Sequence, residues 1–190
     1  MSVPPDPPVQ SVGPPGLELR PARPADRAAL QQMLELYQHD LDNAGIWPQE
    51  LDARACYGYP LQPWFEADAA AQGRHAFVAT LHGGWAGFAL VSPALRIGPR
   101  RADGRWMDQF WVRARLRRSG IGRALARAVF QALPGHWQVG QMPANAAAQA
   151  FWRTVIAGHC AAQGWPPHRE QRLVDGPWQG LVQCFEPPAR

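Results

Sequence analysis

The chain has 190 residues, 46% hydrophobic and 18% charged, which excludes a disordered or coiled-coil protein and fits one domain able to bury its own core. Its net charge of +4 is uneven: residues 96–127 hold ten Arg and two Asp, and the remainder is acidic, so a generally nucleic-acid-coating protein is excluded. The three cysteines sit at 56, 160 and 184, spacings that suit neither a zinc site nor a disulfide framework and point to a reducing cytoplasm.

Residues 1–16 carry six prolines and one charge. They read as an extended, disordered tail, with neither the basic start nor the apolar run of a signal peptide. A single domain is expected over 17–190. Leu17–Arg20 alternates like a short strand, and Pro24 opens a helix with Ala29, Leu30, Met33, Leu34 and Tyr37 on one face. Residues 41–73 are interrupted by Gly45, Pro48, Gly58, Pro60 and Pro63, so a loop with one or two short helical pieces is expected. Strands follow over 75–81 and 85–91, joined by His82-Gly83-Gly84, and over 105–112. Residues 120–133 form a helix stopped by Pro134-Gly135. A short strand over 137–140 comes next, then a helix from Asn145 to about Ile156 with Asn145 as N-cap. A hairpin over 169–174 and 179–185 closes the chain. The charge-free stretches 75–95 and 128–152 are both broken by turn residues and read as core rather than membrane spans. Helices alternate with strands only in the middle third, so the sheet is expected to be mixed.

The stretch that carries chemistry is 105–130. A strand runs into Arg117-Arg118-Ser119-Gly120-Ile121-Gly122, where a helix starts. A helix start offers free N–H groups and a positive dipole end, glycines admit phosphate oxygens, and Arg117, Arg118 and Arg123 add charge, which together make an anion site. A helix start with packing glycines and a solvated Arg face would look the same. The third glycine and following acid of a dinucleotide fingerprint, and the Gly-Lys-Ser/Thr of a P-loop, are absent from this stretch.

Arg117-x-x-Gly120-x-Gly122 behind Val112, followed by Asn145-x-x-Ala148-x-x-Phe151-Trp152, resembles the GNAT family of acyl-CoA-dependent N-acyltransferases. The likeness covers about 17–186, and Glu35-Leu36-Tyr37-x-His39-Asp40, Phe110-Trp111-Val112, Pro134-Gly135-x-Trp137 and Trp178-x-Gly180-Leu181-Val182 are similar to a little-characterised bacterial branch of it. The resemblance implies an α/β fold: a mixed, mostly antiparallel sheet of six to seven strands with about four helices, splayed between two parallel central strands. It implies acetyl-CoA as co-substrate, with no metal. Backbone amides of Arg118, Ser119, Gly120, Ile121, Gly122, Arg123 and Ala124 would hold the pyrophosphate. Phe110, Trp111 and Val112 would pair with the pantetheine, and Asn145 would reach it too. An amine would attack the thioester directly, and the acceptor would be a small-molecule or peptide amine.

One position departs from the family pattern. Trp152 stands where many relatives carry the tyrosine that protonates the leaving thiolate, and an indole is no acid. Candidate bases are Asp108 on the strand and Asp40, beside His39, at the end of the first helix. Tyr37, Tyr57, Tyr59 and Trp64 are candidates for the acceptor pocket. Asp40, Asp42, Glu50, Asp52, Glu66 and Asp68 hint at a cationic acceptor. The expected activity is transfer of an acetyl group to an amine, by a cytoplasmic monomer or homodimer without nucleic-acid or membrane partners. A non-catalytic acyl-CoA-binding or sensing domain is the alternative.

Overall fold

A computed structural model describes residues 13–175 and 178–188. Seven strands form one sheet in the order β1-β2-β3-β4-β5-β7-β6. They are β1 (Leu17–Pro21), β2 (His75–Leu81), β3 (Gly84–Ser92), β4 (Gly104–Val112), β5 (His136–Gln141), β6 (Arg169–Leu173) and β7 (Gly180–Phe185). The β4–β5 pair is parallel and the other pairs are antiparallel. The expected mixed, mostly antiparallel sheet is therefore found. Three helices accompany it: α1 (Arg27–Asn43), α2 (Ile121–Ala132) and α3 (Ala146–Gln163).

Beyond the end of α1 at Asn43, the segment 41–73 contributes one 3₁₀ turn, Gln62–Trp64, and the described residues hold three α-helices rather than about four. Helix α3 runs seven residues beyond the expected end at Ile156. Gly158 does not break it, and Gly164, at φ 66°, ends it in the left-handed conformation. The β2–β3 turn is two residues long, His82 at φ 50° and Gly83 at φ 77°, the double left-handed geometry that matches strand twist. Most of the proline-rich tail lies outside the described residues, but residues 13–16 belong to the fold. The Gly16 carbonyl accepts from the His82 amide at 2.9 Å, and the Leu17 amide donates to Pro14 O at 3.1 Å.

The sheet is covered on both faces. Helices α2 and α3 close the larger core, where Ile121, Leu125, Val129, Phe130, Trp152 and Ile156 meet Ala89, Val91, Met107, Trp137 and Phe185. Helix α1 closes the smaller core, placing Leu30, Met33 and Leu34 on Val78, Phe88, Leu90 and Trp111. Strand β3 is sandwiched, and residues 86–92 are all buried, which explains its unbroken apolar run.

Candidate active site

The two parallel strands separate halfway along their length. They pair from Gly104–His136 to Met107–Val139 and no further, while β5 stays paired with β7 on its other edge through Gln141. A bulge in β4 marks the point of separation. Leu90 on β3 faces Gln109 and Val91 faces Met107, so Asp108 has no partner across the ladder. The extra residue resets the alternation of the strand: Met107 and Phe110, three apart, both reach the α2–α3 core. Beyond the bulge one backbone edge of β4 is unpaired. The Arg113 amide donates to Ala86 O on β3 at 2.9 Å, so strand alternation turns the N–H groups of Phe110 and Val112 into the gap.

The end of β4 leads directly to the α2 N-terminus. Arg118, at φ 66°, and Gly120, at φ 90°, are both left-handed, and no side chain caps the helix. The Ser119 hydroxyl points backwards and donates to Leu116 O at 2.6 Å. The first intrahelical bond runs from Ala124 N to Gly120 O, which leaves the amides of Ile121, Gly122 and Arg123 without helical partners. Arg113, Arg115, Arg118 and Arg123 are exposed around this start, with no carboxylate within 4.0 Å among the described residues. Arg117 differs. Its guanidinium donates to Val112 O at 2.9 Å and pairs with Asp40, tying the loop to the end of α1.

A cavity of about 320 Å³ occupies the gap between β4 and β5. Its walls include six of the candidate residues, Asp108, Tyr37, Tyr59, Phe110, Asn145 and Trp152. Burial raises the Asp108 carboxyl above the usual carboxylate range, against the opposing effects of the Ser92 hydroxyl, Arg96 and Tyr59. The Tyr59 hydroxyl lies 3.5 Å from Asp108 Oδ1. Burial, reinforced by the Asp108 charge, keeps the Tyr37 and Tyr59 phenols protonated. Asn145 caps α3, its Oδ1 accepting from the Ala148 amide at 3.0 Å. Trp152 is 4% exposed and packs edge-on against Phe110 (4.8 Å between ring centres) and Phe151 (5.0 Å).

Three expected residues stay outside this cavity. Asp40 is held by the Trp111 indole, which donates at 2.8 Å, and by Arg117. Tyr57 donates to Asp42 at 3.0 Å and lines a separate shallow depression with Glu35 and His39. Trp64 donates to Val91 O at 2.9 Å and supports Tyr59 from behind. The acidic residues of 40–68 do not line the cavity either. Asp42 is taken by Tyr57 and the Gln49 amide, and Asp52 by Arg54 and the Cys56 amide. The charge hint for a cationic acceptor therefore has no counterpart in the cavity wall.

Other wall residues escaped the sequence reading: Ile46, Trp47, Arg96, Trp106, Gln141 and Trp178. Trp106 lies two residues before Asp108 and lines the same cavity from the paired part of β4. The visible signal was Gly140. A Cβ there would lie 2.2 Å from the Trp106 ring and 2.7 Å from the Trp178 ring, so only glycine admits both indoles. Among the described residues, no three His, Cys, Asp or Glu side chains are grouped to hold a metal.

No curated protein sequence matches the chain. Among solved structures, aminoglycoside acetyltransferase AAC(6')-Ib in complex with coenzyme A is 20% identical at TM-score 0.60, over 90% of this chain and 95% of that one. Ribosomal-protein-alanine N-acetyltransferase from Brucella melitensis is 22% identical at TM-score 0.55, over 88% and 98%. RimL, a ribosomal L7/L12 alpha-N-protein acetyltransferase in complex with coenzyme A, is 14% identical at TM-score 0.58, over 90% and 93%. At these identities the likeness shows a shared fold. The model of the acetyltransferase (GNAT) family matches residues 30–155, from α1 through the split strands into α3, and the chain belongs to that family.

Proposed function

We propose that the protein transfers an acetyl group from acetyl-CoA to an amine by direct attack, in a complex holding both substrates. The carrying observation is the continuity of three features: the unpaired β4 edge, the uncapped α2 start beyond one end of it, and the cavity at Asp108 at the other. These residues fit an acyl-CoA. The free amides of Ile121, Gly122 and Arg123, at the centre of the Arg118–Ala124 turn, take the pyrophosphate, and Arg113, Arg115, Arg118 and Arg123 balance its charge. The Phe110 and Val112 amides face the pantetheine arm like a missing strand, with Trp111 between them on the α1 side. One of these amides is available to polarise the thioester carbonyl. Asn145 keeps its amide nitrogen for the same arm, while its oxygen caps α3.

The amine nitrogen attacks the carbonyl carbon, the C–S bond breaks, and CoA leaves as the thiolate. The surplus proton of the ammonium passes to Asp108, directly or through one water, and the raised affinity of that carboxylate for a proton suits this role. Asp40, already engaged by Arg117 and Trp111, serves as a tie between α1 and the loop. Trp152 has no acidic proton to give, so the thiolate departs without help from that position.

The protein is taken to act in the cytoplasm as a monomer or homodimer. Among the described residues no helix is long and apolar enough to cross a membrane. The test is calorimetric binding of acetyl-CoA, then thiol release against a broad amine panel. Binding with amine-dependent thiol release is expected. The second reading, a sensing domain of the same fold, is favoured by Trp152, and predicts binding with no turnover on any amine.

A further inference from the structure

We infer that the acceptor is an amphoteric amine, one that carries a carboxylate as well as the reacting nitrogen on an apolar, ring-bearing body. The inference rests on the active-site reading above and names the substrate class of that site. The cavity wall holds two opposed charges, Asp108 and Arg96, and neither has an ion-pair partner within 4.0 Å among the described residues. A polycationic acceptor would meet one carboxylate and one guanidinium here, and the second charge would repel it.

Arg96 stands exposed at the edge of the cavity, with its backbone pinned there. The side chain of Gln138 on β5, 1% exposed, accepts from the Arg96 amide at 2.8 Å and the Ile97 amide at 3.1 Å, and donates to Ile97 O at 2.7 Å. Its guanidinium then lies over the Trp106 ring, 5.3 Å from the centroid. This arginine is not part of the pyrophosphate cradle. Trp106 and Val112 stand at opposite ends of the β4 edge, roughly 20 Å apart at the usual strand rise.

The rest of the wall suits the other parts of such a molecule. Trp106 and Trp178 meet edge to face at 5.5 Å and present aromatic surface for a ring. Gln141, 4% exposed, spends its amide nitrogen on Val139 O at 2.8 Å, and its buried Oε1 has no partner among the described residues. An orphaned acceptor of this kind calls for a donor, and an amine held in the cavity supplies one.

The experiment compares phenylalanine and tryptophan with phenethylamine and tryptamine, which differ from them only by the carboxylate. Spermidine serves as the polycation. Binding to the CoA-loaded protein is read by titration calorimetry, and turnover with acetyl-CoA by thiol release. Both amino acids should exceed their decarboxylated partners by tenfold or more in affinity and in kcat/KM, and spermidine should be poorest. Arg96→Gln should bring the acid-to-amine ratio near one, and Arg96→Lys should restore part of it, with acetyl-CoA affinity within twofold in both. Equal binding of acids and amines, or preference for spermidine, overturns the inference. The binding arm decides this even where turnover is nil, and turnover of amines without regard to a carboxylate would leave the acetyltransferase reading standing while this one falls.

Discussion

The two ends of the β4–β5 gap are made in different ways. At the α2 end the contacts offered to a ligand are main-chain amides, presented by an uncapped helix start and an unpaired strand edge. At the Asp108 end they are side chains drawn from α1, the 41–73 loop, the 93–103 loop, β4, β5 and the segment before β7. A backbone cradle needs glycine and left-handed turns at fixed spacing, so it leaves a compact motif. A side-chain pocket needs only that distant segments arrive together. The first kind of site keeps its ligand while sequences diverge, and the second changes its ligand by exchanging wall residues.

The largest effect should come from the residue nearest the chemistry. Asp108→Asn keeps the shape of the wall and removes the proton acceptor. Turnover should fall by roughly a hundredfold to a thousandfold, within the usual range for a general base. Acetyl-CoA affinity should be unchanged, since the cradle lies at the other end. The sign of the pH effect follows from burial, which raises this carboxyl in the folded state. Ionised Asp108 costs stability, and that cost grows as pH rises from the usual carboxylate range through the raised value. The variant should therefore melt higher than wild type at pH 7 and show a weaker decline of stability on that side. Activity of the wild type should fall on the acid side of a pKa above that of an ordinary aspartate. Wild-type rates for Asp108→Asn across pH 6 to 9 would move the base elsewhere.

The opposite end is broken by Gly120→Val. A Cβ at Gly120 meets no atom within 4 Å among the described residues, so the substitution clashes with none of them. Its φ of 90° is the obstacle, because a β-branched residue resists that conformation. The loop must re-form and the first-turn amides lose their aim. Losing two charge-assisted hydrogen bonds is worth about 3 kcal/mol, on the order of a hundredfold in acetyl-CoA affinity by calorimetry. Gly120→Ala should cost less, about 1 kcal/mol. Wild-type affinity in Gly120→Val would show that the pyrophosphate sits elsewhere.

The same contrast explains what was legible in the sequence. The strand–loop–helix order, the Arg117–Gly122 segment and the Asn145 cap are local patterns, and each lies where its spacing predicts. Asp108 was found as a candidate, but the bulge that leaves it opposite no residue was invisible, because a bulge is a matter of register between two strands. Arg96 read as part of a basic run; only the Gln138 contact across 42 positions reveals that its loop is pinned at the cavity. Asp40, Tyr57 and Trp64 had the right chemistry and the right neighbourhood. Their hydrogen bonds to Arg117, Asp42 and Val91 point them away from the gap.

Asp40 joins the two ends and gives the finest test of the contrast. It stands at the end of α1, on the acceptor side, yet holds two groups from the cradle side, the Trp111 indole at 2.8 Å and the Arg117 guanidinium. Its side chain is 33% exposed and that of Arg117 48%, so solvent screens the pair and a modest energy is expected. Asp40→Asn retains an oxygen for the indole and removes the charge that holds Arg117. Arg117 keeps its bond to Val112 O, so the loop loses one of two anchors. Stability should drop by about 0.5–1 kcal/mol, seen as a melting shift of a few degrees. Turnover should stay within about threefold, less than 1 kcal/mol of barrier, because no reacting atom is touched. A double-mutant cycle with Arg117→Ala should return most of the stability loss as coupling between the two residues. A fall of a hundredfold in kcat with the fold intact would make Asp40 part of the chemistry and would dissolve the division between a tie and a base.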